Sequence, residues 1–404
     1  MGPVQQVAPR RLEWLRGEVA RWQADGLVDE ATGAAISARY TADRRLSLGR
    51  LLLLLGGAFV GVGILWLVAA NLDQLSPLAR FVGITAAWLG GVALAETLAS
   101  RAGRGGRVGQ VAQGSAAVGA ARLAATLAYG GVVFQAAQSL QVPAYESGLL
   151  GVWAAGALAY AYAVAAVLPL LVGVAAGTGW YGWVVGERAD NAAAAALALL
   201  IAGALATAIA VVHDERWRPG FASPWRQAGA LFALAGLFVA ALPGTGRVDA
   251  AVPVIGWTGV VTALLCCSGA ATLAGRRGRV EALVAAAVLL VGLPLLLWTP
   301  SEPAPGLGSV TGEVLARAVV GTALYVLVAG WFAGVGVMWD AEHLTGLATV
   351  ALVVFVTVQS FAVFEPLLSG AALFLVLGVI FLGSGLLANY GRRRLVSTTA
   401  EAGS

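Results

Sequence analysis

Five residues of one apolar stretch, Ser115, Gly119, Arg122, Thr126 and Tyr129, follow one another at spacings of four, three, four and three. On an α-helix such spacings stack side chains on a single face. Gln135 and Gln138 continue the polarity toward the far end of the stretch, and Glu96 is the nearest acidic residue in sequence that could pair with Arg122. An arginine at mid-span costs about 2.5–3.5 kcal/mol on insertion scales, so it is expected to face protein or water rather than lipid. Two readings of this face stand open. One is a structural ion pair or a snorkelling arginine, and the other is a polar pathway or binding site. Asn71 and Asp73, in the polar turn after the first apolar run, are the candidate residues of an outer gate.

Other chemistries lack their residues. The chain has no lysine, which excludes a phosphate-binding GxxxxGK[ST] loop, and neither HExxH nor GxSxG with a partner set occurs. The only histidines, His213 and His343, fall at separate span ends and are expected to be solvated interface residues rather than metal ligands. Cys266 and Cys267 are adjacent within an apolar run, a spacing that suits neither a disulfide framework nor a zinc site. No catalytic residue, metal or cofactor is expected. No segment between spans is long enough to fold as a soluble catalytic domain.

The elements that must position the polar face are membrane spans. With 59% hydrophobic and 11% charged residues in 404, the chain lies outside the range of soluble domains. Twelve apolar runs are predicted near residues 48–70, 78–99, 113–137, 147–163, 166–185, 191–212, 226–242, 250–273, 280–298, 315–338, 344–363 and 367–389. At the join near Val164–Pro169, Pro169 marks either a turn or a kink. The fold class is therefore all-α, a polytopic integral membrane bundle of about 12 transmembrane helices.

Charge orients the bundle. With the N-terminus inside, twenty of the 25 arginines fall on the inner side, four (Arg80, Arg188, Arg247 and Arg317) fall outside, and Arg122 lies within a span. This sorting follows the positive-inside rule and places both termini in the cytoplasm. The connection with Asp340, Glu342 and His343 departs from it, carrying no arginine. The arginines border apolar runs, so membrane topology accounts for them and no nucleic-acid partner is expected. The outer face is net acidic, as expected once arginines are sorted inward. Trp180, Trp183, Trp298 and Trp339 lie at span ends, where indoles anchor at headgroup level.

Before the first span, Leu12, Leu15, Val19 and Trp22 form one apolar stripe, Gly26 ends that helix, and Asp29 is placed to cap a second helix with Ala35, Ile36 and Tyr40. Residues 1–47 are thus expected as a cytoplasmic amphipathic helical hairpin, 48–391 as the bundle and 392–404 as a short basic tail. Residues 10–45 either lie on the membrane or packed on loops, or dock a cytoplasmic or membrane protein. The first 45 residues hold no apolar core, so no cleavable signal peptide is expected.

Glycine occurs 54 times, with one-turn pairs at Gly57 and Gly61, Gly173 and Gly177, and Gly330 and Gly334 that suit close helix packing. The segments Phe59–Trp66 and Phe332–Trp339 share five of eight residues and would run in opposite directions, as an inverted repeat requires. Chance convergence of common residues is the competing explanation.

Several of these residues together carry a resemblance. Trp22, Gly26-Leu27-Val28-Asp29, Ile36 and Tyr40 lead into a glycine-rich span ending Ala69-Ala70-Asn71-Leu72-Asp73, followed by Gln138 and Leu149-Leu150-Gly151-Val152-Trp153. This arrangement resembles the bacterial membrane proteins grouped as domain of unknown function 2157, best over residues 10–165. That family has an Asn-Trp-Asp turn where this chain has Asn71-Leu72-Asp73. The resemblance implies a multi-pass protein of the bacterial inner membrane and assigns no activity. Three functional readings follow: a non-enzymatic membrane partner, scaffold or sensor, a secondary-type transporter or translocator of a small molecule or lipid, and a membrane-embedded enzyme on a lipid-linked substrate. The third lacks the paired outer carboxylates or extended loop that such chemistry needs.

Overall fold

The computed structural model describes residues 5–7, 9–42, 52, 55–63, 76–104, 116–143, 145–242, 245, 254–298, 312–339 and 341–364. The chain divides into two compact units, Met1–Gln135 and Ala136–Ser404. Almost every described residue is helical, and nine helices among them are long and apolar enough to cross a membrane. The chain is a polytopic helical membrane protein. The run near 367–389 and the tail 392–404 lie outside the described residues, as do most of 48–70, Ser115, and Asn71 and Asp73 of the outer turn.

In the first unit, α1 (Pro9–Ala24) and α2 (Glu30–Ala38) pack together. Gly26, at φ +69°, ends α1 in the left-handed conformation that glycine adopts without a Cβ clash, and the Leu27 N–H donates to the Trp22 carbonyl at 2.9 Å. Asp29 caps α2, its Oδ1 accepting from the Thr32 N–H at 2.8 Å. Val19 is buried. Tyr40 departs from the helical expectation. It lies in a three-residue strand, Tyr40–Ala42, paired in parallel with Gln5–Val7. The unit also holds helical residues 55–63, α3 (Pro77–Arg104) and most of α4 (Ala116–Ser139).

The second unit consists of α5 (Ser147–Val164), α6 (Val167–Arg188), α7 (Ala192–Val212), a π-helical turn (His213–Trp217), α8 (Pro219–Ala241), α9 (Val254–Leu273), α10 (Arg276–Leu297), α11 (Gly312–Met338) and α12 (Glu342–Phe364). The join at Val164–Pro169 is a turn. Ala165 takes a left-handed conformation at φ 54°, the Ala165 and Ala166 N–H groups both return to the Ala161 carbonyl, and Pro169 sits in the first turn of α6. The run expected near 226–242 forms α8, which begins earlier. Its first half carries Ser223, Pro224, Arg226 and Gln227, too polar for it to count among the nine.

Helix α7 is the hub, packing on α8, α9 and α10. Half of its buried residues are alanine, including Ala193, Ala196, Ala204 and Ala208, and glycines bring α8 against it. A Cβ added at Gly203 would lie 2.8 Å from the Ala233 nitrogen, and one at Gly236 would lie 2.9 Å from the Ala196 carbonyl. Small residues permit such approach where no hydrophobic effect draws helices together. Of the one-turn glycine pairs, Gly57 and Gly61 meet Ala120 and Leu127, and Gly173 meets Leu158, whereas Gly330 and Gly334 have nothing described within 4 Å. Leu265, Leu327, Val337 and Val350 point outward and exposed, as lipid-facing side chains do. In the same core, Tyr325 and Phe355 stack at 3.8 Å and Phe238 meets Phe355 edge-on, joining α11, α12 and α8.

Candidate functional site

The polar face of α4 is held between packed helices. Gly91 of α3 approaches Ala125, and Gly57 approaches Ala120, so small residues flank Arg122 on both sides in sequence. That approach brings Glu96 to the guanidinium. Arg122 Nε donates to Glu96 Oε1 at 3.0 Å and Nη2 to Oε2 at 2.8 Å. Arg122 is buried, whereas the Glu96 side chain is 38% exposed. A two-point fork fixes both groups and meets the charge of a buried arginine.

The other described residues of this face are spread along α4 beyond that pair. The Thr126 hydroxyl donates to the Arg122 carbonyl at 2.7 Å, a bond within its own helix. Tyr129 lies against Trp88, ring centroids 5.2 Å apart. Gln135 is buried further along α4, while Gln138 is exposed near the helix end, where its carbonyl accepts from the Gln141 N–H.

A second polar cluster, unanticipated from sequence, sits where the turns of the second unit meet. Arg226 of α8 reaches Glu281 of α10 through Nε–Oε1 at 2.5 Å and Nη2–Oε2 at 3.0 Å, and its Nη2 also donates to Asp214 Oδ2 at 3.1 Å. The guanidinium carbon lies 5.1 Å from the Trp339 ring centre, with Arg277 closer to the same ring at 4.2 Å. Trp339, expected as a headgroup anchor, is therefore also a platform for two cations. Glu215 accepts from the Gly275 N–H at 3.1 Å, tying the π-helical turn to the start of α10. Three turns distant in sequence are thus joined by charge. The visible signal was only Asp214, Arg226 and Glu281 at the edges of separate apolar runs.

His213 corrects the expectation of a solvated residue, because it is buried. Its Nδ1 lies 2.7 Å from the Ile209 carbonyl, and Nε2 lies 2.9 Å from the Tyr162 hydroxyl. A carbonyl can only accept, so Nδ1 carries a proton. Trp225 Nε1 donates to the Tyr162 oxygen at 3.1 Å. Tyr162 thus links Trp225 to His213 through its hydroxyl. Phe221 packs edge-on to Tyr162 and stacks with His213. His343 is exposed at the start of α12.

Three voids lie among the described residues of this unit, one of them an open cleft of about 710 Å³ between α6, α8 and α12 with Gln227, Glu342 and His343 in its wall. A crevice of about 600 Å³ opens between the α5–α6 pair and the α7–α8 pair, walled by Gly151, Leu158, Val174, Ala206, Trp225 and Phe232 among others. Its lining is almost wholly apolar. The third, a cavity of about 20 Å³, is bounded by Thr207, Glu281 and apolar groups of α7, α10 and α11. That is room for about one water molecule, with polar atoms to hold it. Among the described residues no cluster of three or more His, Cys, Asp or Glu is placed to hold a metal ion.

Comparison with known proteins agrees with the resemblance read from the sequence. Residues 20–170 match the family model described as "Predicted membrane protein (DUF2157)". No curated protein and no solved structure matches the chain.

Proposed function

We propose, from the premise that residues 20–170 are similar to a family of predicted membrane proteins, that this chain is a non-enzymatic membrane partner, scaffold or sensor. The observation that carries the reading is the two-point pairing of Arg122 with Glu96. A polar pathway would need that guanidinium available to a passing solute. Here it clamps α3 to α4, and the Thr126 hydroxyl bonds within its own helix. In this reading the protein has about twelve spans in the bacterial inner membrane with both termini cytoplasmic. Residues 1–47 form the cytoplasmic helical hairpin, 48–391 the bundle and 392–404 the tail. The contact for a protein partner lies within residues 10–45. Trp14 and Leu27, 62% and 73% exposed, support this, because large apolar side chains on a short helical pair suit a docking surface.

The test is photo-cross-linking in cells, with a photoreactive residue at Trp14 or Leu27. A discrete protein adduct is expected, and it should vanish on competition by a peptide of residues 10–45. Adducts to lipid alone would sink the partner reading. A second reading, translocation of a small molecule or lipid, draws on the crevice of the second unit. Solute flux through proteoliposomes that is lost on Arg122→Gln, with the protein still folded, would favour that reading over the scaffold.

A further inference from the structure

We infer that the second unit binds an anionic phospholipid, with one acyl chain in the crevice between the α5–α6 and α7–α8 pairs and the phosphate on Arg216 and Arg218. Three observations meet here. The crevice is apolar, open on one side and about 600 Å³ in volume, suited to a hydrocarbon chain and offering almost nothing to a polar solute. Its wall is continuous with a packed cluster of Ala161, Leu170, Val174, Ala206, Phe221 and Ala228, to which Trp225 and Leu158 add their rings and methyls. Arg218 lies on the rim of that cluster, its guanidinium carbon 5.8 Å from the Phe221 ring centre, and both Arg218 and Arg216 are exposed.

Charge complementarity selects an anionic headgroup. The π-helical turn His213–Trp217 also carries Asp214 and Glu215, which could neutralise its arginines. Both are engaged elsewhere: Asp214 accepts from Arg226, and Glu215 accepts from the Gly275 N–H. Arg216 and Arg218 are left facing outward with no carboxylate partner among the described residues. The turn is held in place by His213, buried and bonded at both ring nitrogens, so the two guanidiniums project from a fixed base. A phosphodiester there would be held by charge while its chain fills the crevice. The inference is independent of the scaffold reading.

The test uses the full-length protein in nanodiscs or detergent, with lipid retention read by native mass spectrometry. Phosphatidylglycerol and phosphatidylcholine of identical chains are compared, and a water-soluble glycerophosphate serves as a headgroup-only competitor. Phosphatidylglycerol is expected to be retained about 25-fold over phosphatidylcholine, from about fivefold for each of the two engaged arginines. Arg216→Gln with Arg218→Gln is expected to abolish that preference. Ala202→Phe, which fills the crevice from α7, is expected to weaken retention of both lipids. Equal retention of the two lipids by the unaltered protein overturns the proposal. So does an unchanged preference in the double arginine variant, or displacement by glycerophosphate at concentrations matching the lipid, which would mean an anion site without a chain. Circular dichroism of each variant shows that lost retention is not lost fold. If Ala202→Phe does not fold, Ala155→Phe fills the same crevice from the exposed side of α5.

Discussion

Arg226 presents Nε and Nη2 to the two carboxylate oxygens of Glu281, across 55 positions of sequence, with 14% and 7% of the two side chains exposed. Neither residue meets its charge within its own helix, so the pair fixes α8 against α10. A buried ion pair contributes little net stability, yet removing one partner strands the other charge in a medium that cannot solvate it. Glu281→Ala leaves Arg226 with Asp214 and the Trp339 ring, so it is expected to cost less than the roughly 3–5 kcal/mol of a fully stranded charge. The apolar double variant Arg226→Met with Glu281→Leu is expected to be more stable than either single change. Thermal unfolding in detergent measures both.

The Arg122–Glu96 pair obeys the same logic with a smaller penalty, because Glu96 keeps access to its surroundings. Glu96→Gln is expected to lower stability less than Arg122→Ala does. The charge-reversed pair Glu96→Arg with Arg122→Glu is expected to recover part of the loss. A double-mutant cycle in which the two losses simply add would show that the fork carries no coupling.

Glycine substitutions separate contact from abundance. Gly203→Leu inserts a side chain where a Cβ already meets the Ala233 backbone, and overpacking of this kind costs about 1–3 kcal/mol or more. Gly330→Ala points into open space and is expected to be neutral or stabilising by up to about 1 kcal/mol, since alanine is the better helix former. Melting temperatures of the two variants should move in opposite directions or differ by several degrees.

At the N-terminal helical pair, the Thr32 side chain and the Thr32 N–H, both donating to Asp29, hold its carboxyl below the usual carboxylate range. A depressed folded pKa gives stability that is present above the unfolded value of about 3.9 and is lost as pH falls through the folded one. The protection factor of the Thr32 amide, its exchange rate relative to an unstructured chain at the same pH, is expected to fall on acidification from about pH 5 to about pH 2. Asp29→Asn, which still caps but does not titrate, should remove that dependence.

Ala165 holds a left-handed backbone that costs a residue with a Cβ about 1–2 kcal/mol. Ala165→Gly relieves it while freeing the unfolded chain, so a net gain of up to about 1 kcal/mol is expected. Ala165→Val should lose stability, and unfolding midpoints in denaturant distinguish the two.

The helices were legible because a span must be long and apolar whatever it packs on. The described helices begin and end close to the expected edges, α8 excepted, where Pro219 opens a helix ahead of its apolar part. The pairing of Glu96 with Arg122 was legible because neighbouring spans offered one carboxylate for one guanidinium. The Arg226 cluster was not, because arginines near span ends have a sufficient explanation in topology, and nothing local marks which is drawn inward. His213 was missed for a related reason. Its partners, Tyr162 and Phe221, come from different helices, and burial of a histidine leaves no periodic trace.

The contact between α7 and α8 sets how the second unit bears load. Where backbone meets backbone at Gly203, no rotamers are available to give way. A squeeze from the surrounding membrane cannot be absorbed there by rearranging side chains. These two helices should therefore travel as a single strut, and any yielding in this unit falls to the looser seam along the crevice.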